Sequence, residues 1–206
     1  MFGSIDPINK ISKVINFYNL NCKIHVDAAF GGFIFPFTCL NNKFNFKNPL
    51  IDSISLDGHK MLEAPYGTGI FLIRKGLIDN ILTKEASYIE GLDHTLCGSR
   101  SGANAIATWM ILNIYGSKGL IKRMEGFIKK TDEICDTLNE LDIDYFRNEN
   151  MNIIAIQNGQ ISEDICKKYT LVPDTHIGKS QWWKIVVMEH VNRNLINQFI
   201  NDLKKN

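Results

Sequence analysis

The stretch from Ala103 to Leu141 constrains this chain more than any other. Ala103 to Tyr115 is apolar nearly all round, which predicts a buried helix. Gly116 punctuates it. Leu120, Ile121, Met124, Phe127, Ile128, Ile134, Cys135, Leu138 and Leu141 then keep helical spacing over roughly six turns. A helix that long is expected to leave one domain and enter the next. The boundary falls near Gly116, giving expected domains of 1–115 and 116–206.

Strands and helices alternate on both sides. Asp6 to Tyr18 has apolar residues at Ile8, Ile11, Val14, Ile15 and Tyr18, a helical pattern, and Pro7 suits a first turn. Lys23 to Ala29 reads as a buried strand ending in small residues. Phe30 to Pro49 is rich in Phe, Gly, Pro and Asn and reads as an irregular loop. Ser53 to Leu56 and Gly67 to Arg74 are further strands. Beyond the long helix, Met151 to Gln157 predicts a strand, Glu163 to Tyr169 a short helix, and Lys184 to Met188 a strand. Asn192 caps a last helix to Lys204, with Leu195, Ile196, Phe199, Ile200 and Leu203 on one face. This is an α/β pattern, its last part a small unit covering one face of a sheet.

Composition narrows the function classes. The net charge of +1 and the even spread of Lys and Arg offer no footprint for nucleic acid or an anionic membrane. The longest strongly apolar run, Ala28 to Leu40, is too short to span a bilayer and contains Pro36. The first residues carry no secretory signal pattern. Five cysteines with no CxxC pair argue against a disulfide framework or a zinc site. A cytoplasmic location with reduced thiols is expected, and no metal site is expected among His94, His176 and His190.

Two segments place polar residues at the ends of apolar strands, where open α/β sheets bind ligands. One is His25-Val26-Asp27-Ala28-Ala29-Phe30-Gly31-Gly32. The other is Asp52-Ser53-Ile54-Ser55-Leu56-Asp57-Gly58-His59-Lys60. A carboxylate at a strand end is costly to bury without a cation or donors. Alone, Asp27 reads as a loop cap, Lys60 as a surface charge and His59 as a half-buried histidine.

Together they resemble the pyridoxal-phosphate (PLP) dependent group II decarboxylases of the fold-type I superfamily. This family includes the aromatic, glutamate, histidine and archaeal tyrosine/aspartate decarboxylases. HVDAA and SISLDGHKM resemble its cofactor segments. LCGSRSGANAIATW, from Leu96 to Trp109, resembles the entry to its long helix, and KIVVMEHVNRNLINQFINDL its closing strand and helix. The resemblance runs from about Gly3 to Lys204. It implies the C-terminal part of a PLP-binding large domain over 1–115 and a small C-terminal α/β domain over 116–206. Within the same cofactor family, an aldehyde-lyase of the sphingosine-phosphate type is the alternative. An inactive fragment, or a subunit completing another chain, is a further one.

The resemblance also implies roles. Lys60 is the Schiff-base lysine, Asp27 the partner of the pyridine nitrogen, and Ala29 the small residue against one ring face. His59 lies near the cofactor phosphate or ring, where Ser55 or Asp57 helps hold the region. Asp57, an anion where many relatives carry Asn, is a poor phosphate ligand. Tyr88 stands where the family has a mobile loop whose tyrosine delivers a proton; a packing aromatic is its other reading. Ser99 and Arg100 stand where a loop approaches the partner subunit's cofactor phosphate. A helix cap and a structural ion pair are their other readings. Pro65 to Gly69 reads as a tight turn.

The family's polypeptide is longer at its N-terminus, so a truncated, split or fragmentary chain is expected. Its partners would be a small amino-acid substrate and a second copy or a complementing N-terminal chain. A parallel sheet without its first strands exposes an apolar edge and face. The chain alone is expected to bind PLP poorly and turn over slowly or not at all.

Overall fold

The computed structural model describes residues 2–39, 41–42, 44–82 and 98–205. They form two compact units. One comprises Pro7–Phe33 and Asn41–Gly116; the other comprises Met1–Asp6, Ile34–Leu40 and Ser117–Asn206.

The first unit opens with helix α1 (Ile8–Phe17). Pro7 sits just outside it, and its carbonyl accepts from the amides of Lys10 and Ile11 at 2.8 and 3.1 Å. Proline suits this place because it has no N–H to leave unsatisfied. Asn19 follows at φ 48°, a left-handed conformation that asparagine tolerates and that turns the chain. Strand β1 (Ile24–Asp27) then runs parallel to β2 (Ile51–Asp57), and β3 (Gly69–Ile73) pairs antiparallel with β2. Along β1, Ile24 and Val26 are buried while His25 and Asp27 are exposed, the alternation a two-residue period dictates. Ile15, Ile24, Val26, Ala28, Ile51 and Ile54 form the core beneath.

Arg74 ties this sheet to the loop before β2. Its Nε donates to the Ile51 carbonyl at 2.6 Å, and its Nη2 to those of Asn48 and Phe46 at 2.7 and 3.0 Å. Gly32, in a 3-10 turn after β1, is required by packing. A Cβ there would lie 2.0 Å from Leu56 Cδ2 and 3.2 Å from Ala28 Cβ.

Helix α3 (Gly102–Glu140) breaks its helical geometry at Gly116, with φ 54° and ψ −175°. One of the four points at which the chain passes between the two units falls directly after this glycine.

In the second unit, β4 (Tyr145–Arg147), β5 (Ile153–Gln157), β6 (Val172–Pro173) and β7 (Trp182–Val186) form an antiparallel sheet of order β4-β5-β7-β6. Ile134, Leu138, Ile154, Ile156, Ile185, Ile196 and Phe199 join one core. It is shared by α3, the sheet, α4 (Glu163–Lys168) and α5 (Arg193–Leu203). Asn192 caps α5 by accepting from the Leu195 amide at 3.0 Å. The short helix α2 (Phe35–Thr38) belongs here, its Thr38 hydroxyl donating to the Asn150 carbonyl at 2.8 Å.

Three expectations need correction. The helix over 103–115 is not buried: Ile106, Trp109 and Ile114 are 61%, 64% and 73% exposed. An all-round apolar pattern says that a surface is to be covered, not by what. The strand expected at Lys184–Met188 runs from Trp182 to Val186, because its two tryptophans pair with Gln157 and Ile156. Strands β4 and β6 escaped the sequence reading, being edge strands of three and two residues. Pro173, which cannot donate to a ladder, is tolerated at that edge.

Candidate active site

β1 and β2 run parallel, so their C-terminal ends lie side by side. Asp27 stands opposite Ser55. The Ala28 amide donates to the Ser55 carbonyl at 2.9 Å, and the Asp57 amide to the Ala29 carbonyl at 3.1 Å. The alternation that buries Val26 turns Asp27 out of the core. Its Oδ1 accepts from the Ala29 amide at 3.0 Å and from the Ser55 hydroxyl at 3.4 Å. Its Oδ2 accepts no hydrogen bond from the described residues. Ala29, half-buried, follows with nothing beyond Cβ.

The chain leaving β2 folds back on itself. The Gly58 amide donates to the Thr68 carbonyl at 2.8 Å, and the Ala64 amide to the Gly58 carbonyl at 2.8 Å. Gly58 packs closely: a Cβ there would lie 2.9 Å from Thr68 Cγ2. His59 Nδ1 meets the Thr68 carbonyl at 3.1 Å. A carbonyl only accepts, so Nδ1 carries a proton and Nε2 is left facing Asp57 Oδ2 at 3.9 Å. Lys60 Nζ pairs with the same Oδ2 at 2.8 Å. Asp57 thus holds a cation here. The His59 ring lies edge-on to Tyr66, with centroids 5.6 Å apart.

The fold therefore gathers Asp27, Ala29 and Ser55 at one strand end, and Asp57, His59 and Lys60 at and just after its neighbour's. Ser99 is exposed, three residues before α3 begins at Gly102, and makes no hydrogen bond with any of these. Ser101 is the residue directly before that helix. Arg100 is exposed. Tyr88 lies outside the described residues. Two contributors escaped the sequence reading. Thr68 supplies the carbonyl that orients His59, and Asn104, in the first turn of α3, donates to the Tyr66 carbonyl at 3.2 Å. No residue-type signal marks a backbone acceptor such as Thr68.

These residues fit the ring and carbonyl carbon of PLP. A carboxylate presents an oxygen that accepts nothing from the described residues, a small residue adjoins it, and the loop after the neighbouring strand supplies a primary amine.

Comparison with known proteins agrees. The pyridoxal-dependent decarboxylase conserved domain matches residues 1–159. A tryptophan decarboxylase of Clostridium sporogenes is 49% identical over 205 residues, across 100% of this chain and 49% of that protein. The structure of a Lactobacillus brevis glutamate decarboxylase superposes with a TM-score of 0.82 at 20% identity, across 99% of this chain and 52% of that one. A sphingosine-1-phosphate lyase of Burkholderia pseudomallei gives 0.80 at 20% identity, across 99% and 49%. Those two likenesses show the fold alone, and it is the α/β fold of fold-type I PLP enzymes. The chain spans about half the length of the curated relatives it matches. On the extent of the domain match, the chain belongs to the pyridoxal-dependent decarboxylase family.

Proposed function

We propose that this protein serves the PLP-dependent decarboxylation of an L-amino acid, with an aromatic amino acid such as tryptophan as substrate. One observation carries the reading. Asp27 and Ala29 stand beside the strand end that leads to His59 and Lys60. The substrate class rests on the 49% identity to a tryptophan decarboxylase.

Bound PLP supplies the electron sink for the carbon left when carbon dioxide departs. Lys60 would hold the cofactor through its primary amine. Asp27 would accept the pyridine N–H and favour the protonated ring. Ala29 lets the ring lie flat. His59, its tautomer fixed by Thr68, borders the cofactor, and Asp57 steadies Lys60 between turnovers. Tyr88 returns a proton to the substrate carbon, and Ser99 binds the cofactor phosphate of a second subunit.

Because the chain spans about half of its relatives' length, the complete site is proposed to need more protein: a homodimer, a complementing chain, or both. The exposed apolar residues of the first unit support this reading. A cytoplasmic location is proposed with it. Among the described residues no helix is long and apolar enough to cross a membrane.

The test is to add saturating PLP to the purified chain, reduce with borohydride, and map the modified lysine, with Lys60→Ala as control. Modification concentrated at Lys60 is expected, followed by carbon dioxide and the matching amine from an aromatic substrate. Equal labelling in Lys60→Ala would overturn the assignment of Lys60. An aldehyde product would move the reading to the aldehyde-lyases.

A further inference from the structure

On the outward face of β1 and β2, four side chains form a continuous line. His25 Nδ1 lies 2.9 Å from Ser53 Oγ, and His25 Nε2 lies 3.3 Å from Ser55 Oγ. Ser55 Oγ in turn lies 3.4 Å from Asp27 Oδ1. The strand register explains the line, for His25 stands opposite Ser53 and Asp27 opposite Ser55. Phe71 on β3, opposite Ser55, lies beside the His25 ring at 6.0 Å between centroids and limits its swing.

The carboxylate sets the direction of every bond in this line. It only accepts, so the Ser55 hydroxyl must give its proton to Asp27. The Ser55 oxygen is then the acceptor for His25, which requires the proton on Nε2. Nδ1 of the neutral imidazole is left as an acceptor, and the Ser53 hydroxyl donates to it. Bonds that run in one direction polarise one another and strengthen together.

We propose that Ser53, His25 and Ser55 are positioning residues that hold the neutral imidazole of His25 in its Nε2–H tautomer and fix Asp27 Oδ1, so that Oδ2 is aimed at the cofactor ring. The tautomer stands on the geometry alone; the aim toward the ring rests on the proposed PLP site. Two ordinary serines and a histidine thereby become part of the proposed cofactor site through Asp27. His59 is held in the opposite tautomer by the Thr68 carbonyl, so the two histidines of the site are distinguishable by their ring nitrogens.

Two readouts test this separately. The first needs no cofactor: nitrogen-15 NMR of the full chain, labelled at histidine, at a pH where His25 is neutral. The Nε2–H form is expected for His25 in the wild type and in Ser55→Thr, and a mixture of tautomers in Ser55→Ala. An Nδ1–H form in the wild type, or a tautomer indifferent to Ser55→Ala, would overturn the proposal. The second is the PLP dissociation constant by fluorescence quenching. Ser55→Ala is expected to weaken binding about tenfold, the scale of one hydrogen bond to a charged group, and Ser55→Thr to restore it. Unchanged affinity in Ser55→Ala would overturn the aiming of Asp27. Failure of the wild type to bind PLP would instead strike the cofactor site, and the tautomer would still decide the relay.

Discussion

The two units of this chain differ in how much apolar surface each leaves uncovered. In the second, Leu138, Ile154, Ile156, Val187 and Ile196 are all 2% exposed or less, and helices and sheet cover one another. In the first, Ile51, Met61 and Leu62 are just as fully buried, yet Phe17, Trp109 and Ile114 stand 81%, 64% and 73% exposed. The candidate site is on the first unit. The difference teaches that a chain can complete one core while leaving its candidate site on a unit with uncovered apolar surface. Large exposed apolar patches in soluble proteins mark interaction surfaces.

The comparison can be broken by mutation. The largest effect is expected from Ile154→Ala, at the fully buried centre of the second unit. It should cost about 3–4 kcal/mol in chemical denaturation. A cost below about 1 kcal/mol would mean that this unit is not closed. Arg74→Met tests the first unit by leaving three loop and strand carbonyls without their donor. A loss of about 2 kcal/mol is expected. Lysine should not replace it, since it lacks the forked geometry.

A smaller effect is expected from acid. The ammonium of Lys168, at 2.5 Å, and the hydroxyl of Tyr169, at 2.7 Å, hold the Asp202 carboxyl below the ordinary carboxylate range. The unfolded chain therefore takes up its proton first as pH falls. The stability from this group is present above the unfolded value and is lost as pH drops through the folded one. Denaturation midpoints should fall more steeply below about pH 4 in the wild type than in Asp202→Asn, with parallel curves near neutrality. The smallest effect on stability is expected from Trp109→Gln combined with Ile114→Gln. The folding free energy should move within about 0.5 kcal/mol, while self-association in sedimentation falls. A large loss of stability would show that this helix face is buried in solution.

Much of this was legible in the sequence. Asn192 was readable as a cap because its side chain acts within one turn of helix. The break at Gly116 was readable because glycine punctuates a helical pattern, and its φ of 54° with ψ of −175° is a combination that other residues rarely adopt. Asp27, His59 and Lys60 were recognisable as a set through the motifs that carry them, and the structure places them at neighbouring strand ends. The edge strands β4 and β6 were not legible, because two or three residues carry no period. Nor was the role of Thr68, since a backbone carbonyl leaves no mark in residue type.

The sequence by itself determined the α/β order, the family and the residue types available for chemistry, because these follow from local periodicity and from motifs contiguous in the chain. Tertiary structure alone decided which groups face one another. The register of β1 on β2 sets Ser55 beside Asp27 and Ser53 beside His25, and a slip of one residue would turn one strand's polar row into the core. Tertiary structure also decided that the helix at 103–115 is uncovered here. Periodicity reports the apolar face a segment carries, while burial depends on whatever else is near enough to exclude water.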